Sequence, residues 1–197
     1  MKPLRRICVF CGSHLGRRPE YALCAARLGR GLAKRGIGLV YGGASVGLMG
    51  TIADAVLAGG GEVVGVIPGG LAAKEIAHPG LTQLHLVDTM HERKALMERL
   101  SDGFIAMPGG FGTFEEILEI MTWTQLGLHR KPAGFLNVGG YYDALLRQID
   151  IGIQEGFIPR QLKPAIVARK SPERLLAALL EHQPPPPTVK WLTRKET

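Results

Sequence analysis

Long apolar runs are missing from this 197-residue chain, although 46% of it is hydrophobic. No stretch approaches the ~18–20 apolar residues that span a bilayer. The basic N-terminus "MKPLRRICVFCGS" carries an apolar run too short for a signal-peptide core. A cytoplasmic protein with no membrane partner is therefore expected. Cysteine is scarce: Cys8, Cys11 and Cys24 are the only three, an odd and small number that argues against a disulfide framework. Cys8 and Cys11 have C-x-x-C spacing, but "ICVFC" reads as a strand, and residues three apart on a strand face opposite sides. With no second pair nearby, neither a redox pair nor a metal site is expected. Dense Lys/Arg runs and aromatic stacking patterns are also lacking. The net charge of +7 is thus better matched to a small anionic substrate than to nucleic acid.

Two nucleotide fingerprints are absent as well. The first strand ends in "CGSHLGRR" rather than G-x-G-x-x-G. "GGASVGLMG" follows the second strand, but no acidic residue ends the strand after it. Neither is there a G-x-x-x-x-G-K-[ST] loop. Dinucleotide-dependent hydride transfer and nucleoside-triphosphate chemistry are disfavoured.

What the chain has in plenty is glycine, 27 residues gathered in short clusters. Between the clusters, short apolar runs ("RRICVFCG", "GLVYGG", "EVVGVIP", "QLHLVD", "GFIAMPGG", "PAGFLNV", "PAIVA") alternate with helical patterns. Ser171–Pro172 is a good cap and first-turn pair for the last helix. This alternation predicts an α/β fold: a Rossmann-like, doubly wound parallel sheet in three layers, α/β/α. One domain is expected over residues 1–182. The Pro-rich "QPPPPTVKWLTRKET" is expected to be an extended or disordered tail over 183–197. Ligands of such sheets bind at the carboxyl ends of strands, near the switch in strand order. Three glycine-rich segments fall there: "CGS" at 11–13, "YGGASVGLMG" at 41–50 and "MPGGFGTFEE" at 107–116.

The third segment predicts a strand, a glycine turn and a helix starting near Thr113. The first N–H groups of a helix lack internal partners and sit at the positive end of its dipole. Gly110, Phe111, Gly112, Thr113, Phe114 and Glu115 are candidates to present N–H groups to an anion. Thr113 and Glu116 also have the T-x-x-E spacing of a capping box, which would fold Glu116 back onto its own helix end. Helical angles turn Glu115 and Glu119 away from the core and put Glu116 at the edge of the apolar arc, half-screened, where a carboxylate can work. The preceding helix, "TMHERKALMERL", opens with another T-x-x-E pair, Thr89 and Glu92. Arg93 falls in the middle of its arc of Met90, Leu96, Met97 and Leu100, with Lys94 at the edge. A guanidinium there needs an anionic partner. That partner is either a structural carboxylate or, across a cavity, a substrate anion or catalytic acid.

"MHERK" at 90–94 followed by "PGGFGTFEE" at 108–116 resembles the LONELY GUY family of cytokinin riboside 5′-monophosphate phosphoribohydrolases. The pattern PGGxGTxxE is matched from Pro108 to Glu116 without departure, and "GLMG" at 47–50, "TW" at 122–123 and "GYYDALL" at 140–146 also look like the family. The resemblance covers about residues 5–180. Many relatives carry the label lysine decarboxylase, but these motifs give no mechanistic support for a pyridoxal phosphate enzyme. The resemblance implies cleavage of the N-glycosidic bond of a nucleoside 5′-monophosphate to free base and ribose 5-phosphate, with no cofactor. It implies Arg93 and Glu116 as the catalytic pair. Substrate contacts would come from Glu75, Lys94, Gly110, Phe111, Gly112, Thr113, Phe114, Glu115 and Thr122. It also implies a homodimer. Trp123 and Leu126, away from the core arc of their helix, offer either a partner surface or a local contact with a neighbouring loop. A non-catalytic nucleotide carrier or sensor of the same fold is the alternative, and a nucleic-acid-binding protein of related fold the third reading.

Overall fold

The computed structural model describes residues 4–72 and 77–182. The 183–197 segment and Glu75 lie outside the described residues.

Among the described residues seven strands alternate with helices: β1 (Arg6–Phe10), α1 (Pro19–Ala33), β2 (Gly38–Tyr41), α2 (Gly47–Ala58), β3 (Val63–Pro68), the single turn α3 (Gly69–Ala72), β4 (Gln83–Val87), α4 (Met90–Leu100), β5 (Gly103–Ala106), α5 (Phe111–Gln125), β6 (Ala133–Leu136), α6 (Asp143–Gln154), β7 (Ile166–Arg169) and α7 (Pro172–Leu180). Their order in space is β4-β3-β2-β1-β5-β6-β7, and every pairing is parallel. The chain winds outward from β1 to β4, returns through α4, and resumes at β5 on the other side of β1. The switch in winding therefore lies between β1 and β5, where the fold opens a crevice for a ligand.

Both faces of the sheet are covered, so the inner strands are apolar apart from Arg6 at the start of β1. Side chains alternate between two cores. Ile7, Val9 and Cys11 pack with α1, α2 and α7, whereas Cys8 and Phe10 pack with α4, α5 and α6. Cys8 and Cys11 thus face opposite sides, as the strand period requires, and all three cysteines are free and buried. The edge strand β4 is only partly covered, with Leu86 well exposed. Among the described residues no helix is long and apolar enough to cross a membrane.

Local chemistry fixes the helix ends. Ser171 Oγ accepts from Arg174 N to cap α7, with Pro172 in the first turn. Gly36 takes φ +65° just beyond α1, a conformation that costs glycine nothing. At α4, Thr89 Oγ1 accepts from Glu92 N at 3.1 Å, and Glu92 Oε2 accepts from Asp88 N at 2.9 Å. This is a capping box closed one residue early.

The corresponding box at α5 does not form. That helix starts at Phe111, with Gly110 as its N-cap and no side-chain cap. Thr113 is then the third helical residue and Glu116 lies in the second turn, out of reach of the helix end. The glycines let the chain enter the helix three residues sooner than the T-x-x-E spacing suggests. Phe114 N already donates to Gly110 O. The N–H groups left without an intrahelical partner are therefore those of Gly110, Phe111, Gly112 and Thr113, and Phe114 and Glu115 drop out of the anion-binding set.

Candidate active site

All three glycine-rich segments meet at the switch point. They border a cleft of about 350 Å³ lined by Cys11, Gly12 and Ser13 after β1, Gly42 and Met49 around β2 and α2, Met90, Arg93 and Met97 of α4, and Gly110–Thr113 with Glu116 of α5. One wall is the open N-terminus of α5. Unpartnered backbone N–H groups and the positive dipole end make it a ready anion site.

Arg93 and Glu116 face each other across this cleft. Arg93 comes from the core-facing stripe of α4, and its Nε donates to the carbonyl of Val66 on β3 at 3.2 Å. Its Nη1 stands 3.7 Å from Glu116 Oε1, and only 14% and 9% of the two side chains are exposed. Glu116 is more deeply set than the half-screened position its helical angle suggests, because Phe10, Met97 and Ile117 close the core beside it. Burial pushes its carboxyl up from 4.5 to about 7, with Arg93 opposing the rise and Glu115 adding to it. A carboxyl poised near neutrality in a cleft is suited to proton transfer or to stabilising a nearby cation. The thiols cannot share that work. Burial, reinforced by the charge of Glu116, drives the Cys8 and Cys11 pKa values upward and keeps both protonated.

The adjoining residues of α4 and α5 turn elsewhere. Lys94 Nζ pairs with Glu115 Oε1 and, at 3.0 Å, with Glu119 Oε1. The three tie α4 to α5 behind the cleft. Glu115 does turn outward, at 53% exposure, and is a partner of Lys94. Phe114 packs against Tyr141 and Tyr142. Thr122 Oγ1 bonds back to Leu118 O, and Thr122 lines a separate hollow of about 330 Å³ with Leu118, Met121, Ile149, Ile158 and Leu162. The structure thus brings Arg93, Glu116, Gly110, Phe111, Gly112 and Thr113 together. Lys94, Phe114, Glu115 and Thr122 do not line this cleft.

Sequence reasoning passed over two supports of the loop. Tyr142 Oη donates to Met107 O at 2.6 Å, and Tyr141 Oη donates to Gly109 O. Both tyrosines grip the turn between β5 and α5 from the "GYYD" segment. The one signal for this was the proximity of two tyrosines to a glycine pair, which single-sequence spacing cannot connect to residues some 30 positions away.

Comparison with known proteins decides the family. The family profile described as "Possible lysine decarboxylase" matches residues 49–179. A probable cytokinin riboside 5′-monophosphate phosphoribohydrolase of Oryza sativa subsp. japonica is 52% identical over 182 residues, 92% of this chain and 74% of the relative. The chain belongs to the LONELY GUY family. A cytokinin riboside 5′-monophosphate phosphoribohydrolase of Arabidopsis thaliana is 51% identical over 91% of this chain and 83% of its own. Among solved structures, the molybdenum cofactor binding protein of Rippkaea orientalis superposes with a TM-score of 0.65 at 21% identity, over 90% of this chain and 96% of that one. At that identity the likeness speaks for the fold alone.

Proposed function

We propose that the protein hydrolyses the N-glycosidic bond of a nucleoside 5′-monophosphate, AMP or an N6-substituted AMP of the cytokinin type, to free base and ribose 5-phosphate. The observation that carries this reading is the buried Arg93–Glu116 pair beside an open helix N-terminus. The phosphoribohydrolases at about half identity support it.

The two charges serve different ends of the substrate. The N–H groups of Gly110, Phe111, Gly112 and Thr113 hold the 5′-phosphate, which takes no part in the chemistry. Its binding energy is available at the reacting carbon. As the C1′–N bond breaks, positive charge builds on the ribose. Ionised Glu116 stabilises that charge and orients the incoming water, as carboxylates do in glycosidases. The water oxygen bonds to C1′ and its proton passes to Glu116. The departing base takes the bonding electron pair and, by way of solvent, the proton that Glu116 releases as it returns to its ionised form. Arg93 favours the ionised form of Glu116 and fixes its direction.

By resemblance we also assign substrate contacts to Glu75, which lies outside the described residues, and to Lys94, Phe114, Glu115 and Thr122. The family resemblance supports a homodimer, measurable by sedimentation, and a cytoplasmic location, although Trp123, expected at a partner surface, packs in part against its own core. A carrier or sensor gains nothing from a carboxylate beside a phosphate site. Incubation with a panel of nucleoside monophosphates, followed by chromatography for free base, separates the readings. Release of adenine or an N6-substituted adenine supports hydrolysis. Nucleotide bound and recovered intact supports a carrier.

A further inference from the structure

Gly42 follows β2 with an ordinary backbone: it is not among the glycines with positive φ. Nothing in its chain conformation calls for glycine. What calls for it is Arg93. A Cβ at position 42 would stand 2.3 Å from Arg93 Nη2 and 3.0 Å from Met49 Sδ, far inside the 3.5–4.0 Å of ordinary contact. The end of the guanidinium thus occupies the space a side chain would fill. Its other nitrogens are already committed: Nε to the Val66 carbonyl, and Nη1 toward Glu116 with Met90 Sδ at 3.8 Å. Held on three sides, the guanidinium has one seat from which it reaches Glu116.

We propose that Gly42 is a positioning residue for the Arg93–Glu116 pair, its missing side chain being the seat of the Arg93 guanidinium. The proposal rests on the hydrolase reading. Both clashing atoms are the far ends of flexible side chains, so a methyl group there displaces Arg93 and leaves the backbone in place. Glu116 then loses the cation that opposes its upward shift. The charges that remain around it are Glu115 and Glu119 on its own helix and Lys94 on α4, with the protonated thiols of Cys8 and Cys11 from the sheet.

The test is Gly42→Ala in the full chain, compared in the natural and Arg93→Lys backgrounds with AMP as substrate. Lysine keeps the charge but has no Nη2 to collide. In the natural background kcat falls about tenfold or more, as sub-ångström to ångström misplacement of a catalytic group does. The acid limb of kcat/KM moves to higher pH, while the thermal unfolding midpoint holds. In the Arg93→Lys background the further loss is small. An unchanged rate and profile overturns the proposal. So does an equal loss in both backgrounds, which would mean that the methyl group blocks substrate directly. A chain that no longer folds overturns it too, by showing that the backbone itself needs glycine. Failure of the hydrolase reading would look different: the unsubstituted protein would release no base at all.

Discussion

Arg93 Nη1 and Glu116 Oε1 lie 3.7 Å apart at the floor of a cleft that both side chains barely share with solvent. The separation is longer than a hydrogen bond and short enough for strong Coulombic coupling. The arginine opposes the burial-driven rise of the Glu116 carboxyl without consuming its oxygens, which leaves them free for water and the ribose carbon.

The pH dependence follows from the Glu116 carboxyl at about 7. If the ionised form acts, kcat/KM, which reports the free enzyme, rises with pH and levels off above about 7. A falling limb over the same range would instead make Glu116 a proton donor. Stability runs the other way. The folded pKa lies above the ordinary 4.5, so the unfolded chain gives up its proton first. Between about 4.5 and 7 this group's contribution to stability declines as pH rises. Thermal unfolding across that window should show the decline in the natural protein and a weaker one in Glu116→Gln.

Phosphate anchoring by the α5 N-terminus predicts that adenosine is a far poorer substrate than AMP. The comparison of kcat/KM should differ by at least about a hundredfold, the size of two or more charge-assisted hydrogen bonds. Equal values would remove the anchor from the account.

Lys94 is seated against Glu115 and Glu119 with 10% of its side chain exposed. Lys94→Ala should lower stability by roughly 1–2 kcal/mol, discounted for the exposure of Glu115, and lower the melting temperature with it. A raised KM for AMP alongside the lower melting temperature is the added signature of the substrate contact assigned to Lys94, and an unchanged KM removes that assignment.

Tyr142 is fully buried, and its hydroxyl serves the Met107 carbonyl. Tyr142→Phe leaves that carbonyl without its donor, at a cost of about 1–2 kcal/mol. It also loosens the turn that presents Gly110–Thr113. The expected signature is a lower melting temperature together with a higher KM for AMP, both read from one preparation.

Much of this was legible in the chain. Strand and helix alternation gives the sheet, and the chemistry of glycine clusters at strand ends marks the cleft. Arg93 stood out because a cation in an apolar arc must answer to something across from it. The start of α5 was not legible: Thr113 and Glu116 have box spacing, but Gly110 and Gly112 offer no side chain to oppose an earlier turn. The orientation of Lys94 was hidden for a different reason. Its partners, Glu115 and Glu119, sit on another helix, and only the packing of α4 against α5 brings them together. Gly42 gives no local signal at all, since its role is defined by an arginine 51 positions later.

The most direct test is Glu116→Gln assayed for adenine release from AMP, alongside nucleotide binding to the same protein. Turnover should fall by several orders of magnitude while AMP still binds, because the α5 N-terminus is untouched. Near-normal adenine release by that variant would contradict it.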